Sequence, residues 1–246
     1  MKAILTYHSI DASGSVISVD RETLREHAAW LARAGLYAVD LERLLALPDG
    51  VPGVAITFDD AFANFATEAW PVLHEFGHAA TLFVPTGHVG GTNAWEANGR
   101  QGVPVLPLLD WAALGRLASE GLILGSHGVA HTRLTSASES VLREEVEASA
   151  VMVFRETGVD PATFAYPYGL LNERVVAAVR LRYRMAVTTE YRTVDGSTDV
   201  HRLPRLDAFY LRRPGSIAQW GTHGFRRRVA LRHRLRRIRR FLTNGV

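Results

Sequence analysis

The sequence predicts an α/β fold in which parallel strands are covered by helices. Short apolar runs rich in β-branched residues alternate with stretches of helical periodicity, and this alternation is typical of parallel sheets. A length of 246 residues fits one large domain, and a hydrophobic content of 47% suffices for a substantial core. In such folds the functional loops leave the C-terminal ends of the strands, so residues at those ends are the candidates for function.

The individual elements follow from the position of apolar runs and capping residues. Strands are predicted at 3–7, 37–41, 54–58, 80–84, 122–125, 163–166 and 185–188. Asp20 and Asp110 are expected to cap helices, and the residues from Ser136 to Glu139 form a predicted capping box before a long helix that Gly158 ends.

The amino-acid composition limits the kinds of metal site and membrane attachment that the chain can have. The chain has no cysteine, which excludes disulfides and thiolate metal sites, so any metal must be bound by histidine and carboxylate. No apolar stretch is long enough to cross a membrane. The first residues enter a strand-like run at once and contain no signal-peptide core, which predicts a cytoplasmic protein.

Two motifs are the strongest indication of function. Asp59 and Asp60 end the apolar run that begins at Gly53, and His127 and His131 follow another such run. Each motif alone is more often a turn or a pair of surface histidines. Together they offer one carboxylate and two imidazoles for a divalent metal, and a second carboxylate that can act as a base on a metal-activated water.

Further polar residues share this placement after a predicted strand. The full set is His8, Asp59, Asp60, His127, His131 and Tyr168. Because parallel strands end at the same edge of a sheet, we expect one shared site.

These residues resemble the polysaccharide deacetylase family, the NodB-homology domain of carbohydrate esterase family 4. The matching motifs are Thr57-Phe-Asp-Asp60, Ser126-His-Gly-Val-Ala-His131 and Phe164-Ala-Tyr-Pro-Tyr-Gly169. The resemblance implies a deformed (β/α) barrel, assigned to residues 1–222, that removes acetyl groups from sugars. It also implies metal binding by Asp60, His127 and His131, with Zn²⁺ the first choice and Co²⁺, Ni²⁺ or Fe²⁺ as alternatives.

By the same resemblance Asp59 is the general base, and the backbone N–H of Tyr168 helps to hold the oxyanion. The chain departs from the family at Ala165, where many members have arginine, and the usual fourth and fifth motifs are not visible. The form of the third motif and the early Tyr-His resemble the poly-N-acetylglucosamine deacetylase branch. That branch places the early histidine as general acid, which predicts this role for His8. A purely structural His8, with His201 as the acid, is the alternative.

Three residues are expected to contact substrate, namely Pro167, Trp111 and Arg205. Trp111, like Trp95, could stack on a sugar ring or simply pack in the core. Arg205 and Asp207 could instead orient Asp59 or form a structural ion pair.

The last segment, 223–246, is predicted to be a separate basic amphipathic helix. It contains nine arginines and no acidic residue, while the remainder has 19 basic and 25 acidic residues, a formal charge of −6. Leu231, Leu235, Ile238 and Leu242 lie at helical spacing. This pattern fits an anchor on anionic lipid, a helix docked on the acidic body, or a nucleic-acid contact, although no nucleic-acid module accompanies it and no such partner is expected.

The predicted function is therefore a metal-dependent carbohydrate deacetylase, most readily an N-deacetylase of a polysaccharide, oligosaccharide or lipid-linked glycan. Rival functions are a non-catalytic glycan-binding relative and a deacylase or amidase of another small acyl group. A non-haem iron oxygenase would use similar ligands, but in a different order along antiparallel strands. The lack of a G-x-S-x-G element argues against a serine hydrolase.

Overall fold

Seven parallel strands form the central sheet of the chain. This structure is a computed structural model that describes residues 1–96 and 102–243, except the side chains of 96, 237 and 239–243. The strands are β1 Lys2–Tyr7, β2 Ser9–Ile10, β3 Ser18–Val19, β4 Gly53–Phe58, β5 Thr81–Val84, β6 Ile123–Ser126, β7 Thr163–Ala165, β8 Met185–Val187 and β9 Leu206–Asp207. The sheet order is β8-β7-β6-β5-β4-β1-β9, and β2 and β3 form a separate parallel pair.

The sheet curls into a half-barrel with helices packed around it, which confirms the predicted α/β class and the deformed barrel. The helices are α1 Arg21–Arg33, α2 Leu41–Ala46, α3 Trp70–Glu75, α4 Trp111–Ser119, α5 Glu139–Arg143, α6 Ser149–Thr157, α7 Glu173–Arg182 and α8 His223–Thr243. All six residues of β4 are buried, as expected for a central parallel strand covered on both faces. A π-helical turn, Glu144–Ala148, joins α5 and α6 into one helical stretch.

Most helix ends follow the predicted capping. The side chains of Asp20 and Asp110 accept hydrogen bonds from the N–H groups of Thr23 and Ala113, each at 2.8 Å. Gly158 ends α6 in the left-handed conformation, with φ of 73°. The capping box was placed two residues early, because Ser138 rather than Ser136 caps α5.

One predicted strand is absent, and one strand of the central sheet was missed. Residues 37–41 form no strand, because Asp40 caps α2 and only the Val39 N–H reaches β4, bonding the Val54 carbonyl at 3.1 Å. The last strand of the sheet is instead β9, which has two residues and pairs with β1. A strand this short has no detectable periodicity, so the apolar pattern could not reveal it.

Helix α8 packs on the body through one face. Phe225 and Val229 are buried, whereas Leu231, Leu235 and Ile238 are exposed. The packing of α8 on the body therefore leaves Leu235 and Ile238 uncovered. The side chain of Leu242 lies outside the described side chains, and the division into residues 1–222 and 223–246 stays a prediction.

Candidate active site

Three buried side chains converge at the C-terminal edge of the sheet. Asp60 follows β4, while His127 and His131 lie at the two ends of the loop that follows β6. The Asp60 Oδ1 atom lies 3.5 Å from His127 Nε2 and 3.4 Å from His131 Nε2. The potential ligand atoms all lie within 4.8 Å of one another. The sequence-predicted ligands are thus brought together, and we refer to them as the Asp–His–His cluster.

The backbone at this cluster adopts a conformation that side chains usually avoid. Asp60, Ala61, His131 and Tyr168 have φ between 54° and 72° and are the non-glycine residues with positive φ among residues 1–96 and 102–243. Such residues cost about 1–3 kcal/mol each and persist where surrounding contacts enforce them. Their concentration here indicates that the turns are shaped for function rather than for stability.

The hydrogen-bond pattern of the cluster fits a cation at its centre. His127 Nδ1 donates to the Ala165 carbonyl oxygen at 2.7 Å, so in the neutral ring the Nε2 lone pair faces Asp60. Asp60 Oδ1 is buried and has no hydrogen-bond partner among the described residues. Two acceptors facing each other in a buried site repel unless a proton or metal ion lies between them.

The charge state of the histidines supports the same conclusion. Burial lowers the pKa of His131 to about 3, which keeps this imidazole neutral as a metal ligand requires. Burial also lowers the pKa of His127, but the nearby carboxylates of Asp60 and Asp59 raise it overall. The cluster therefore stabilises positive charge beside Asp60, and its donor set of one carboxylate and two imidazoles suits a divalent metal. The identity of the metal stays a prediction.

Asp59 lies next to the cluster and is held by a buried arginine. The Arg205 guanidinium donates to both carboxylate oxygens at 2.7 Å, and its Nε–H donates to the Thr188 carbonyl at 2.9 Å. Burial raises the pKa of the Asp59 carboxyl, but Arg205 outweighs it and holds that pKa well below its usual range. Asp59 is consequently a carboxylate at neutral pH with a fixed orientation.

Arg205 shows how the chain manages without an arginine at Ala165. Its side chain is fully buried beneath Asp59, and it also donates to Thr57 Oγ1 at 3.2 Å. This position matches one of the three roles open for Arg205, orienting Asp59. The guanidinium is buried, so its position gives no support to the expected contact with substrate.

His8 stands on the open side of Asp59. Its Nε2 atom lies 3.8 Å from Asp59 Oδ2, and its side chain is 22% exposed. The His201 ring, by contrast, is buried, and its Nε2 atom hydrogen-bonds to the Tyr183 carbonyl oxygen at 2.9 Å. His8 therefore has the access to a substrate that His201 lacks.

Tyr168 and Pro167 lie on a short helical turn, Pro167–Gly169, opposite the second histidine. The Tyr168 ring centre is 4.6 Å from that of His131. The guanidinium of Arg133 also lies over the Tyr168 ring, with its Cζ atom 4.7 Å from the ring centre. A Cβ at residue 169 would meet Thr189 Oγ1 at 2.0 Å, so only glycine fits there. The oxyanion role of the Tyr168 N–H and a substrate contact of Pro167 stay predictions.

The two tryptophans expected to stack on sugar occupy different surroundings. The Trp95 ring lies 4.9 Å from His131 and 4.5 Å from His88, so it covers the second metal-site histidine. Trp111 begins α4 and packs half-buried against the main hydrophobic core. Trp95 lies in the segment between β5 and α4, of which residues 97–101 lie outside the described residues.

Sequence reasoning missed Glu145, which holds the loop between the two histidines. Its buried carboxylate accepts hydrogen bonds from the N–H groups of Val129 and Ala130 at 2.8 and 3.0 Å and from Thr132 Oγ1 at 2.8 Å. It lies on the π-helical turn, a feature often found at functional sites. An acidic residue in a helix otherwise rich in glutamate gives no signal of this role.

Comparison with known proteins agrees with this site. Residues 47–186, more than half of the chain, match the polysaccharide deacetylase family. This chain belongs to the polysaccharide deacetylase family. The resemblance drawn from the motifs is confirmed.

Individual family members are distant in sequence. The chain is 26% identical over 209 residues to the family member YxkH of Bacillus subtilis (strain 168), which covers 82% of this chain and 70% of that protein. It is 26% identical over 170 residues to the poly-beta-1,6-N-acetyl-D-glucosamine N-deacetylase of Staphylococcus epidermidis, covering 63% of this chain and 56% of the enzyme. The chain thus spans little more than half of that enzyme.

Solved structures share the fold. The Streptococcus pyogenes deacetylase PplD superposes with a TM-score of 0.75 over 89% of this chain and 96% of that chain, at 22% identity. IcaB from Ammonifex degensii gives a TM-score of 0.73 over 88% and 94%, also at 22% identity. At this level of identity the likeness establishes the common fold and no residue role.

Proposed function

We propose that this protein is a metal-dependent hydrolase that removes acetyl groups, and N-acetyl groups in particular, from a glycan. The observation that carries the proposal is the buried Asp–His–His cluster. Beside it lie an oriented carboxylate, Asp59, and a partly exposed imidazole, His8. Membership of the polysaccharide deacetylase family supports an acetylated glycan as the substrate class.

The proposed roles follow from where each side chain lies. Asp60, His127 and His131 would hold the metal, which when bound makes water acidic and polarises a carbonyl. Asp59 is deprotonated and fixed by Arg205, so it can accept the proton of the attacking water. His8 lies 3.8 Å from Asp59 and faces solvent, which suits it to protonate the departing amine.

The finer proposals concern metal and substrate. Zn²⁺ is the first metal to test, because a site of two imidazoles and one carboxylate suits it, and Co²⁺, Ni²⁺ and Fe²⁺ accept the same ligands. A polymer of N-acetylglucosamine is the first substrate to test, because the staphylococcal relative is named as a deacetylase of that glycan. A lipid-linked glycan is a second form of this substrate class.

We further propose that the protein works in the cytoplasm at the inner face of the membrane. The support for this placement is the basic, partly apolar surface of helix α8. Cell fractionation tests it directly, with recovery in the washed membrane fraction as the expected result and release by high salt as its signature.

Mass spectrometry of acetylated glycans after incubation with metal-loaded protein tests the catalytic proposal. We expect mass losses of one acetyl group per step, and none with Asp59→Asn, in which an amide replaces the base with nearly the same shape. Metal bound at one equivalent without any acetyl loss would favour a glycan-binding relative. Release of a different acyl group would favour the alternative deacylase or amidase.

A further inference from the structure

Helix α8 presents two different faces. On one face Phe225 and Val229 are buried against the body, and Arg232 and Arg236 lie over the Tyr210 ring, with their Cζ atoms 4.0 and 5.7 Å from its centre. These contacts fix the rotation of the helix about its axis. The opposite face is consequently directed away from the protein.

That outer face carries an apolar stripe. Leu231, Leu235 and Ile238 are 59%, 58% and 57% exposed. With ~100° of rotation per residue, they lie about 180–240° around the helix from Val229. Three large apolar side chains in a row on a solvent-facing helix are unfavourable in water and indicate a surface that becomes covered.

Arginines flank the stripe on both sides. Arg227 and Arg234 lie on one flank and Arg228 on the other, and all three are exposed. The segment from His223 onwards has nine arginines and no acidic residue, whereas the remainder of the chain is acidic. An apolar stripe between rows of arginine is the pattern of a helix that lies in the interface of a bilayer.

We propose that the outer face of α8 binds the surface of a bilayer that contains anionic lipids. Leu231, Leu235 and Ile238 enter the boundary between headgroups and acyl chains, and the arginines pair with lipid phosphates while their stems cover apolar surface. The contact is peripheral: none of the helices in the described part of the chain is long and apolar enough to cross a membrane.

Charge and shape favour a bilayer over other partners. A second copy of this chain would bring two helices of nine arginines each together, and like charges at close range oppose such pairing. A nucleic acid would engage the arginines but would leave the apolar stripe uncovered. A bilayer satisfies both features.

The helix also approaches the catalytic edge of the sheet. Arg236 lies over the ring of Tyr210, which follows the last residue of β9 by three positions, and β9 pairs with β1, whose last residue precedes His8. Helix α8 and His8 thus both lie near the C-terminal end of β9. A bilayer on α8 would therefore lie near the open side of the catalytic site, where a membrane-held glycan could enter.

Flotation of the full chain with vesicles tests the surface independently of catalysis. Binding is compared between two kinds of vesicle. One contains phosphatidylcholine with about 30% of the anionic lipid phosphatidylglycerol, and the other contains phosphatidylcholine alone. The stripe variant is Leu231→Ser/Leu235→Ser/Ile238→Ser, and the charge variant is Arg227→Gln/Arg234→Gln. Matched controls are Leu181→Ser, a 91% exposed leucine on α7, and Arg33→Gln, an exposed arginine on α1.

We expect binding to anionic vesicles only. The charge variant should bind roughly 30-fold more weakly, from two charges near the surface. The stripe variant should bind at least about 100-fold more weakly, from three apolar side chains that no longer leave water. Both controls should bind as the wild type does, and deacetylation of a soluble oligosaccharide should be unchanged in every variant.

Three results would overturn the proposal. One is equal binding of the stripe variant and the wild type to anionic vesicles. Another is a wild-type dimer in sedimentation analysis that the stripe variant loses. The third is tighter binding to duplex DNA than to vesicles with no effect of the stripe variant. Vesicle binding without acetyl loss from any glycan would refute the proposed enzyme and leave the surface intact.

Discussion

Replacement of Arg205 by methionine would leave the Asp59 carboxylate buried without its partner. In the wild type the guanidinium makes two hydrogen bonds of 2.7 Å to that carboxylate, and both groups are buried. Methionine keeps much of the apolar volume beside Phe83, over which the guanidinium lies. The variant therefore removes the charge and its donors with little change in packing.

The expected loss of stability is large. Removal of one partner from a buried ion pair costs about 3–5 kcal/mol, because the other charge remains desolvated. In a protein of this size each kcal/mol lowers the melting temperature by about 2–4 °C, so Arg205→Met should lower it by about 6–20 °C. Loss of the fixed orientation of Asp59 should also reduce turnover by about 10²-fold.

The pH dependence separates this cause from poor packing. In the wild type the pKa of Asp59 lies below its unfolded value of 3.8, so the pair contributes stability above about pH 3.8 and loses it as the pH falls below that value. Without Arg205, burial dominates and raises the pKa of Asp59 above its unfolded value. The charged carboxylate then destabilises the fold at neutral pH, and this penalty disappears as acid protonates it.

Thermal melts of metal-free protein between pH 7 and pH 4 measure this effect. The difference in melting temperature between wild type and Arg205→Met should shrink as the pH falls. The double variant Asp59→Asn/Arg205→Met should recover a substantial part of the loss at pH 7, since an amide carries no charge. A difference that stays constant with pH, or a double variant no more stable than the single one, would refute the reasoning.

Three further outcomes are expected. His131→Ala should remove most of the bound divalent metal, measured by elemental analysis after dialysis, because only two protein ligands would remain; full occupancy would contradict the assignment. His8→Ala should slow turnover by about 10²–10⁴-fold with the metal retained, whereas His201→Ala should not, and the reverse result would move the general acid to His201. Glu145→Gln should weaken metal binding by about 10–100-fold in a competition titration, because an amide cannot accept hydrogen bonds at both oxygen positions. The control is Glu147→Gln, which changes an exposed glutamate of the same turn. Equal metal affinities of the Glu145 variant and the wild type would exclude a positioning role for Glu145.

The elements that could be predicted from the sequence are those whose apolar pattern extends over several consecutive residues. The strands ending at Tyr7 and Phe58 have six residues each, and their apolar runs were enough to place His8 and Asp59 at one edge of a sheet. Strand β9 has two residues and depends on pairing with β1, which is a tertiary contact with no local pattern. The same limit applies to Glu145, whose partners lie 13–16 positions away along the chain.

The role of Arg205 was only half predictable for a related reason. Many members of the family have an arginine at the position of Ala165, and this chain does not. The guanidinium that binds Asp59 comes from Arg205, the residue before β9 and 146 residues after Asp59. The chemistry requires a cation at that point in space, whereas the sequence position from which it comes is free to change.

The strained turns of the site explain why such supporting contacts are needed. Positive φ at Asp60, Ala61, His131 and Tyr168 would relax if the turns were free. The Ala61 carbonyl instead accepts the Leu109 N–H at 2.9 Å, and Glu145 binds the N–H groups next to His131. The polar groups around the cluster therefore keep the backbone in a conformation that aims one carboxylate and two imidazoles at a common point. Contacts such as those of Glu145 offset the cost of the positive φ angles at these turns. Substitutions at such supporting residues should therefore alter metal affinity although they change no metal ligand.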